Sequence, residues 1–339
     1  MLVARWDLDK TYLRTDFDTL RDLVRTAIER PDQKRTVPGA AALMRELGDA
    51  GAAVHIVSGS PESLRGRIVA KLELDCVRWA SLTLKPNLQN LLRGRLRALR
   101  GQVAYKLRAL LRARAEMPAE IDPQGEPVRE VLLGDDAEQD ALVYSLYADV
   151  CAGSLPPERL AAVMRRARAY EDEIEEALRL VSYIRKDPVV GRILIHLDRQ
   201  SAPGAFARYG ARVVPFYNYL QAAFVLFEDG GLRARAVLRV ARALVTQHHF
   251  AGDALGQSYL DLARRGHVSG RGMGELGEGF AELVRGRRAS PPGWSELGEM
   301  LRRIEAGRAE LRPRAPERPF PIDYLRLVET RRRARGSQR

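Results

Sequence analysis

The stretch VARWDLDKTYLRTD, residues 3–16, ends an apolar run with two carboxylates, Asp7 and Asp9, followed by Thr11. Successive side chains of a strand point to opposite faces, so Asp7 and Asp9 lie on the same side of it. Two like charges held this close favour a bound cation. A strand that simply ends in a polar turn shows the same pattern, so the choice between the two interpretations depends on the rest of the chain.

Composition places the chain among ordinary globular proteins. It has 339 residues, of which 45% are hydrophobic and 29% charged, enough for one large α/β domain with additions or for two domains. The two cysteines are too few for a disulfide framework or a zinc site, which fits a reducing cytosol. No signal-peptide pattern opens the chain, and no apolar run approaches the roughly 20 residues of a membrane span. We therefore expect a cytoplasmic protein.

The net charge of +12 is concentrated in the last third of the chain. Residues 231–339 contain 22 basic and 12 acidic residues, whereas residues 1–150 contain 23 and 22. Such a segment can lie against anionic lipid headgroups, as a peripheral contact with a membrane, or against nucleic acid. A solvated, arginine-rich helical surface explains the same excess, because 50 of the 56 basic residues are arginine.

Apolar strand patterns alternate with helical patterns over the first 228 residues. Strands are predicted at 2–7, 53–57, 76–84, 128–134, 192–197 and 212–216, and helices at 16–30, 62–72, 87–99, 102–115 and 218–228. A further helix opens at Pro38 and Gly39 and ends before Gly51, which makes the first βαβ unit. Such units imply parallel strands, so the sequence predicts an α/β fold with a Rossmann-like parallel sheet.

The second half of the chain is predicted to be mostly helical. Apolar residues recur at three- and four-residue steps along 157–186, which predicts one long helix that packs on its own domain, caps the site or dimerises. Glycines interrupt helical patterns over 231–310, and the Pro/Arg-rich residues 311–339 are expected to be extended or disordered. The expected organisation is a domain over 1–228 with a helical insertion at 157–186, a helical region over 229–310 and a basic tail.

Polar side chains follow three of the predicted strands. Asp7 and Asp9 follow the first strand, Ser58 follows the second, and Gly134 leads into Asp135, Asp136 and, on the next helix, Asp140. Parallel strands bring their carboxyl ends to one edge of the sheet, where ligands of such sheets bind. This convergence favours the cation site over the polar turn.

The four motifs together resemble those of the haloacid dehalogenase superfamily, over about residues 1–150. The matching residues, in order, are the D-x-D-x-T of Asp7, Asp9 and Thr11, the hydroxyl of Ser58, a lysine, and the G-D-D-x-x-x-D that contains Asp135, Asp136 and Asp140. The lysine is Lys106 or, as the alternative, Lys85. The resemblance implies a sheet of that superfamily's type, with a small or absent cap between Thr11 and Pro38.

The resemblance also implies roles for these residues. Asp7 would be the nucleophile that takes the phosphoryl group as an aspartyl-phosphate, and Asp9 would protonate the leaving alkoxide and then activate water. Asp7, the backbone carbonyl of Asp9, and Asp135 would bind Mg²⁺, an ion that prefers oxygen ligands. Asp136 or Asp140 would support these ligands from behind. Ser58 and the lysine would hold the phosphoryl oxygens, with Thr11 beside them ordering the turn that aims both aspartates.

Within that superfamily, the chain is most similar to the actin-patch-type phosphatidate phosphatase catalytic domain, which is distantly similar to lipin. VHIVSGSPESL (54–64), YKLRAL (105–110) and VLLGDDAEQDALVYSLYADV (131–150) carry this resemblance. Lys10 stands where the family commonly has a second acid, and Asp136 stands where it commonly has serine. The implied activity is a Mg²⁺-dependent phosphatase acting on phosphatidate.

Two alternatives remain open from the sequence. The first is a phosphatase of a soluble phosphomonoester or of the phosphorylated end of a nucleic acid, which needs no lipid surface. The second is a non-catalytic scaffold that retains the fold and acts through its helical C-terminal half. Acids at two strand ends and a hydroxyl at a third speak against the scaffold, which has no physical need for them.

Overall fold

A computed structural model describes residues 1–14, 35–86, 102–117, 128–285, 291–311 and 321–336. Six strands form one sheet: β1 (Leu2–Trp6), β2 (Ala53–Pro61), β3 (Ser81–Lys85), β4 (Arg129–Asp135), β5 (Val190–His196) and β6 (Val213–Phe216). The predicted helices at 16–30 and 87–99, and most of the segment between Thr11 and Pro38, lie outside the described residues.

The sheet is parallel throughout, in the order β3-β2-β1-β4-β5-β6. The central strands β1 and β4 are almost continuously buried, because both faces of the sheet are covered by helices. The chain moves outward from β1 to β3 and then crosses back to β4, so the winding direction changes between β1 and β4. The predicted α/β class with a Rossmann-like parallel sheet is confirmed.

Twelve helices are described. They are α1 (Ala40–Asp49), α2 (Arg65–Leu74), α3 (Gln102–Ala115), α4 (Asp140–Cys151), α5 (Pro157–Arg166), α6 (Glu171–Tyr183), α7 (Tyr219–Glu228), α8 (Ala234–His248), α9 (Gly252–Arg264), α10 (Met273–Val284), α11 (Trp294–Ala306) and α12 (Tyr324–Gly336). Within the described ranges, none of these helices combines the length and apolarity that crossing a membrane needs.

Two hydrophobic cores lie on the two faces of the sheet. One core joins Trp6 and Leu43 to residues of the C-terminal helices such as Val237, Leu244 and Met300. In this core α9 and α11 pack so closely that Gly252 has no room for a side chain. A Cβ at Gly252 would lie 2.1 Å from the backbone oxygen of Glu296. The helices after residue 228 therefore share a core with the sheet.

The second core joins the other face of the sheet to α3, α4, α5, α6 and α12. The continuous helix predicted over 157–186 is two helices in the structure, separated by Arg168 with a left-handed φ of 64°. The chain turns there, and Glu173 accepts a hydrogen bond from the Tyr170 backbone at the start of α6. The turn lets Met164 of α5 and Ile174 of α6 reach the same core.

The last helix differs from the extended tail predicted over 311–339. Tyr324, Leu327 and Val328 of α12 are buried in the second core, and the Tyr324 hydroxyl donates to Asp149 at 2.5 Å. Burial of this apolar face stabilises a helix that the arginine-rich composition does not indicate. Residues 312–320 and 337–339 lie outside the described residues.

Candidate functional site

The site lies where the winding of the sheet changes direction, at the carboxyl ends of β1 and β4. Asp7 follows β1 directly, and its backbone N–H donates to the carbonyl of Leu133 in β4 at 2.8 Å. Asp135 ends β4, so the two carboxylates face each other across neighbouring strands. Both residues are fully buried. Crevices at this position bind ligands in open α/β sheets.

Four carboxylates meet at this point: Asp7, Asp135, Glu138 and Asp140, called here the carboxylate cluster. Each offers one oxygen within 4.8 Å of the others. Asp135 Oδ1 accepts hydrogen bonds from the backbone N–H groups of Ala137 and Glu138, at 2.6 and 2.8 Å, and Asp140 Oδ2 accepts from the Asp135 backbone at 3.1 Å. These bonds hold the turn after β4 against the strand end.

Gly134 is required for this close approach. A Cβ built on Gly134 would lie 2.4 Å from Asp140 Oδ2, so any larger residue would displace the Asp140 carboxylate. The glycine of the G-D-D-x-x-x-D motif therefore has a steric function beside the acids.

Lys106 supplies the positive charge inside the carboxylate cluster. Its Nζ lies 2.9 Å from Asp7 Oδ1, 2.6 Å from Glu138 Oε2 and 2.6 Å from Asp140 Oδ1. Burial disfavours the ammonium, but the carboxylates of Asp140, Asp7 and Glu138 raise the pKa of Lys106 well above its usual value. Lys106 is therefore charged at neutral pH.

Lys85, the alternative lysine, lies close enough to Glu138 for that carboxylate to raise its pKa, but burial has the larger effect. Its Nζ is 5.7 Å from the centre of the Tyr105 ring, and burial lowers its pKa to about 8. Among the residues described, Lys106 is therefore the lysine in contact with Asp7.

The donor set of the carboxylate cluster fits a hard divalent cation. Its four acids exceed the one ammonium of Lys106 in charge, and burial raises the pKa of both Asp7 and Asp135 well above the usual value. The ligand atoms on offer are all carboxylate oxygens, which suits Mg²⁺ better than a metal that prefers nitrogen or sulfur. A divalent cation would neutralise the excess negative charge.

Asp9 lies beside the carboxylate cluster and is held by two serines. Ser58 Oγ and Ser60 Oγ donate to Asp9 Oδ2 at 3.0 and 2.7 Å. Asp9 Oδ1 is buried and has no hydrogen-bond partner in the part of the chain that the structure describes. Burial raises the pKa of Asp9, and the negative charge of Glu138 adds to the increase. The Asp9 carboxyl can therefore hold a proton.

Thr11 bridges the acids of the two strands. Its hydroxyl lies 3.3 Å from Asp7 Oδ2 and 3.5 Å from Asp135 Oδ2. The backbone carbonyl of Thr11 accepts a hydrogen bond from the Tyr219 hydroxyl, and the Tyr219 ring stacks on Trp6 at 5.9 Å. The turn between Asp9 and Thr11 is thus anchored to α7.

The two residues predicted to support the metal ligands, Asp136 and Asp140, lie in different surroundings. Asp140 is inside the carboxylate cluster, whereas Asp136 faces the loop after β5 and accepts hydrogen bonds from the backbones of Arg199 and Ser201 at 2.8 and 3.0 Å. The predicted metal contact through the Asp9 carbonyl stays a prediction.

Three residues of the site were not predicted from the sequence: Glu138, Ser60 and Tyr219. Glu138 lies within the motif of Asp135 and Asp140, and Ser60 lies two residues after Ser58, where alternation along β2 places them on one side. These spacings were signals for both residues. Tyr219 is more than 200 residues from Thr11, and no local pattern connects the two.

Comparison with protein-family models, with curated proteins and with solved structures finds no match to this chain. Its class therefore rests on the structure itself: an α/β protein with a six-stranded, all-parallel, Rossmann-like sheet. The resemblance to the haloacid dehalogenase superfamily rests on the motifs alone.

Proposed function

We propose that the protein is a Mg²⁺-dependent phosphomonoester hydrolase that acts through an aspartyl-phosphate on Asp7. The observation that carries this proposal is the contact of Lys106 with Asp7 inside a buried, oxygen-only carboxylate cluster at the carboxyl end of the central strands. A buried carboxylate beside a charged lysine and a hydroxyl-bearing strand end suits phosphoryl transfer, which depends on positioning and charge neutralisation.

In the first step, an Asp7 carboxylate oxygen attacks phosphorus and the bond from phosphorus to the ester oxygen breaks. The Asp9 carboxyl gives its proton to the leaving alkoxide, which its raised pKa favours. In the second step, Asp9 takes a proton from water as the water oxygen attacks phosphorus. The bond from phosphorus to Asp7 then breaks, and inorganic phosphate leaves.

The remaining residues hold the reacting groups in place. Lys106 supplies positive charge beside Asp7, and the hydroxyls of Ser58 and Ser60 orient Asp9. Asp7, Asp135 and a further acid of the carboxylate cluster would hold Mg²⁺, which when bound neutralises charge on the phosphoryl oxygens. Thr11 orients Asp7 relative to Asp135.

Phosphatidate is the substrate that we propose, and two features support it. The first is the resemblance of residues 54–64 and 131–150 to the phosphatidate phosphatase catalytic domain. The second is the excess of basic over acidic residues in 231–339, which suits an anionic lipid surface.

The decisive experiment measures hydrolysis of a generic aryl phosphate with and without Mg²⁺. We expect Mg²⁺-dependent activity that falls at least ~10³-fold in Asp7→Asn, since the nucleophile is removed. Asp198→Asn is the matched control, because Asp198 is an exposed acid two residues beyond β5 and should leave activity unchanged. Full activity of Asp7→Asn would exclude the mechanism, and inactivity of the wild type on every phosphomonoester would favour a scaffold.

A second set of assays identifies the substrate. The wild type is offered phosphatidate in mixed micelles, soluble phosphomonoesters and a 5′-phosphorylated oligonucleotide. Preferential turnover of phosphatidate would support the lipid substrate. Turnover of the soluble compounds or the oligonucleotide with none on phosphatidate would contradict it and leave the hydrolase mechanism intact.

A further inference from the structure

A polar cavity lies next to the turn that carries Thr11, on the α1 side of the sheet. It has a volume of about 430 Å³ and is lined by the start of α1 and by Arg14, Arg35, Thr36, Arg45, Gln247 and His248. None of these residues belongs to the carboxylate cluster. The cavity is therefore a separate candidate for ligand binding.

The acid that borders this cavity is already neutralised. Asp75 accepts hydrogen bonds from Tyr12 Oη at 2.6 Å and Thr36 Oγ1 at 2.9 Å, and its Oδ1 lies 2.7 Å from Lys71 Nζ. Among the described residues, Arg45 Nη1 donates to the backbone oxygen of Asp75, at 2.6 Å, and not to its carboxylate. The charge of Asp75 is balanced by Lys71, so it does not offset the arginines.

Three arginines consequently face the cavity without a counter-charge from the described residues. In the described part of the chain, no carboxylate forms an ion pair with Arg14, Arg35 or Arg45. The guanidinium groups of Arg14 and Arg35 are exposed, and the backbone N–H of Arg14 donates to the carbonyl of Arg35 at 2.9 Å. That bond keeps the two arginines side by side at the cavity mouth.

The start of α1 adds donors to the same cavity. Ala40 N–H donates to the Val37 carbonyl and Leu43 N–H donates to the Gly39 carbonyl. Between them, the amides of Ala41 and Ala42 have no acceptor among the described residues, and both residues line the cavity. Free amides at a helix start, combined with guanidinium groups, are suited to phosphate oxygens.

We propose that this cavity binds a phosphate group, as free phosphate or as the headgroup of a phosphate-bearing lipid. Arg14 and Arg35 bind the group at the mouth, Arg45 contacts it from the side through the N–H groups that Asp75 does not use, and the α1 amides donate to one of its oxygens. The site does not depend on the hydrolase activity, since it uses other residues.

Equilibrium dialysis with inorganic phosphate in Mg²⁺ buffer tests the proposal on the full chain. We expect Arg14→Gln/Arg35→Gln to bind one phosphate fewer per chain than the wild type, or to bind it at least ~10-fold more weakly, because two charged hydrogen-bond donors are lost. Arg67→Gln/Arg78→Gln removes the same charge from exposed arginines outside the cavity and should bind like the wild type. Equal binding by the wild type and the cavity variant would overturn the proposal.

The stoichiometry separates this proposal from the hydrolase. If both sites bind phosphate, the wild type binds two and the cavity variant binds one. If only the cavity binds, the wild type binds one and the cavity variant binds none. Arg14→Lys/Arg35→Lys, which keeps both charges, should retain binding, and all variants should unfold at the wild-type temperature because the exchanged side chains are exposed.

Vesicle sedimentation distinguishes the two sources of phosphate. Phosphatidylcholine vesicles with and without phosphatidate are incubated with the wild type and with Arg14→Gln/Arg35→Gln. Phosphatidate-dependent sedimentation that the double variant loses identifies a lipid headgroup. Binding of inorganic phosphate without such sedimentation identifies free phosphate as the ligand.

Discussion

Two groups of buried charges lie along the same pair of strands, β1 and β4. At the carboxyl ends is the carboxylate cluster, and Arg5, the next-to-last residue of β1, pairs with Glu130, the second residue of β4. Glu130 accepts from Arg5 Nε at 2.6 Å, from Arg5 Nη2 at 3.0 Å and from the Tyr147 hydroxyl at 2.8 Å. Burial is therefore common to both groups.

Their charge balance is opposite. Burial raises the pKa of Glu130, but Arg5 and the Tyr147 hydrogen bond outweigh it and hold the pKa below its usual value. Burial raises the pKa of Asp135 and the neighbouring acids raise it further, since Lys106 is one ammonium for four carboxylates. The comparison teaches that the structural group supplies enough positive charge to neutralise its one buried carboxylate, whereas the site retains an excess of negative charge for a ligand to neutralise.

Breaking the Arg5–Glu130 pair has the largest expected effect on stability. Glu130→Leu leaves the Arg5 guanidinium buried without its carboxylate, so we expect a loss of about 3–5 kcal/mol in the free energy of unfolding, measured in urea. The double variant Arg5→Leu/Glu130→Leu should recover most of this loss. A single variant that loses less than about 1 kcal/mol would show that the pair is not structural.

Removing one acid from the carboxylate cluster should increase the free energy of unfolding, the opposite of the effect of Glu130→Leu. In metal-free buffer, Asp135→Asn relieves repulsion between buried acids while its side-chain oxygen still accepts from the backbone, so stability should rise by about 1 kcal/mol. Added Mg²⁺ should raise the unfolding temperature of the wild type but not that of the variant. Asp198→Asn serves as the control, and a destabilised Asp135→Asn would contradict the charge imbalance.

The anchor between α7 and the turn after β1 has an expected effect of similar size. Tyr219→Phe keeps the stacked ring but leaves the Thr11 carbonyl without its donor, which should cost ~1 kcal/mol of stability. We also expect slower aryl phosphate hydrolysis, because Thr11 orients Asp7. Tyr217→Phe, at an exposed tyrosine of the neighbouring segment, should change neither quantity.

The smallest effect is the pH dependence of the Arg5–Glu130 pair. The pKa of Glu130 is lowered in the folded state, so its contribution is complete above the unfolded value of 4.5 and is lost as the pH falls towards the folded value. At pH 4.5 the stability difference between the wild type and Glu130→Leu should be smaller than at neutral pH, by at most ~0.4 kcal/mol. A difference that grows on acidification would contradict this sign.

Much of the site could be predicted from the sequence, because the residues that follow parallel strands meet at one edge of the sheet. Alternation along each strand then determines which of their side chains share a side. The βαβ pattern alone was enough to predict that Asp7 and Asp135 lie at the same edge of the sheet. The choice between Lys106 and Lys85 depended on which side of α3 faces the sheet ends, and the direction of Glu138 depended on a turn stabilised by Asp135. Both features depend on tertiary packing, which the spacing of residues along the chain does not reveal.

The elements that were misjudged show the same limit. The apolar stripe through 157–186 is continuous, so nothing in its spacing indicates the left-handed turn at Arg168. The apolar residues of α12 are few and the surrounding sequence is rich in arginine, so composition alone favoured an extended tail. The Arg5–Glu130 pair escaped notice because it joins residues 125 positions apart.

The core that joins Trp6 to Val237, Leu244 and Met300 has a practical consequence for anyone who shortens this chain. The rise in positive charge after residue 230 looks like a natural place to cut, yet it falls inside one packed layer. A fragment ending at residue 228 would leave the outer side of α7 in water, and we expect it to aggregate instead of yielding an isolated catalytic half.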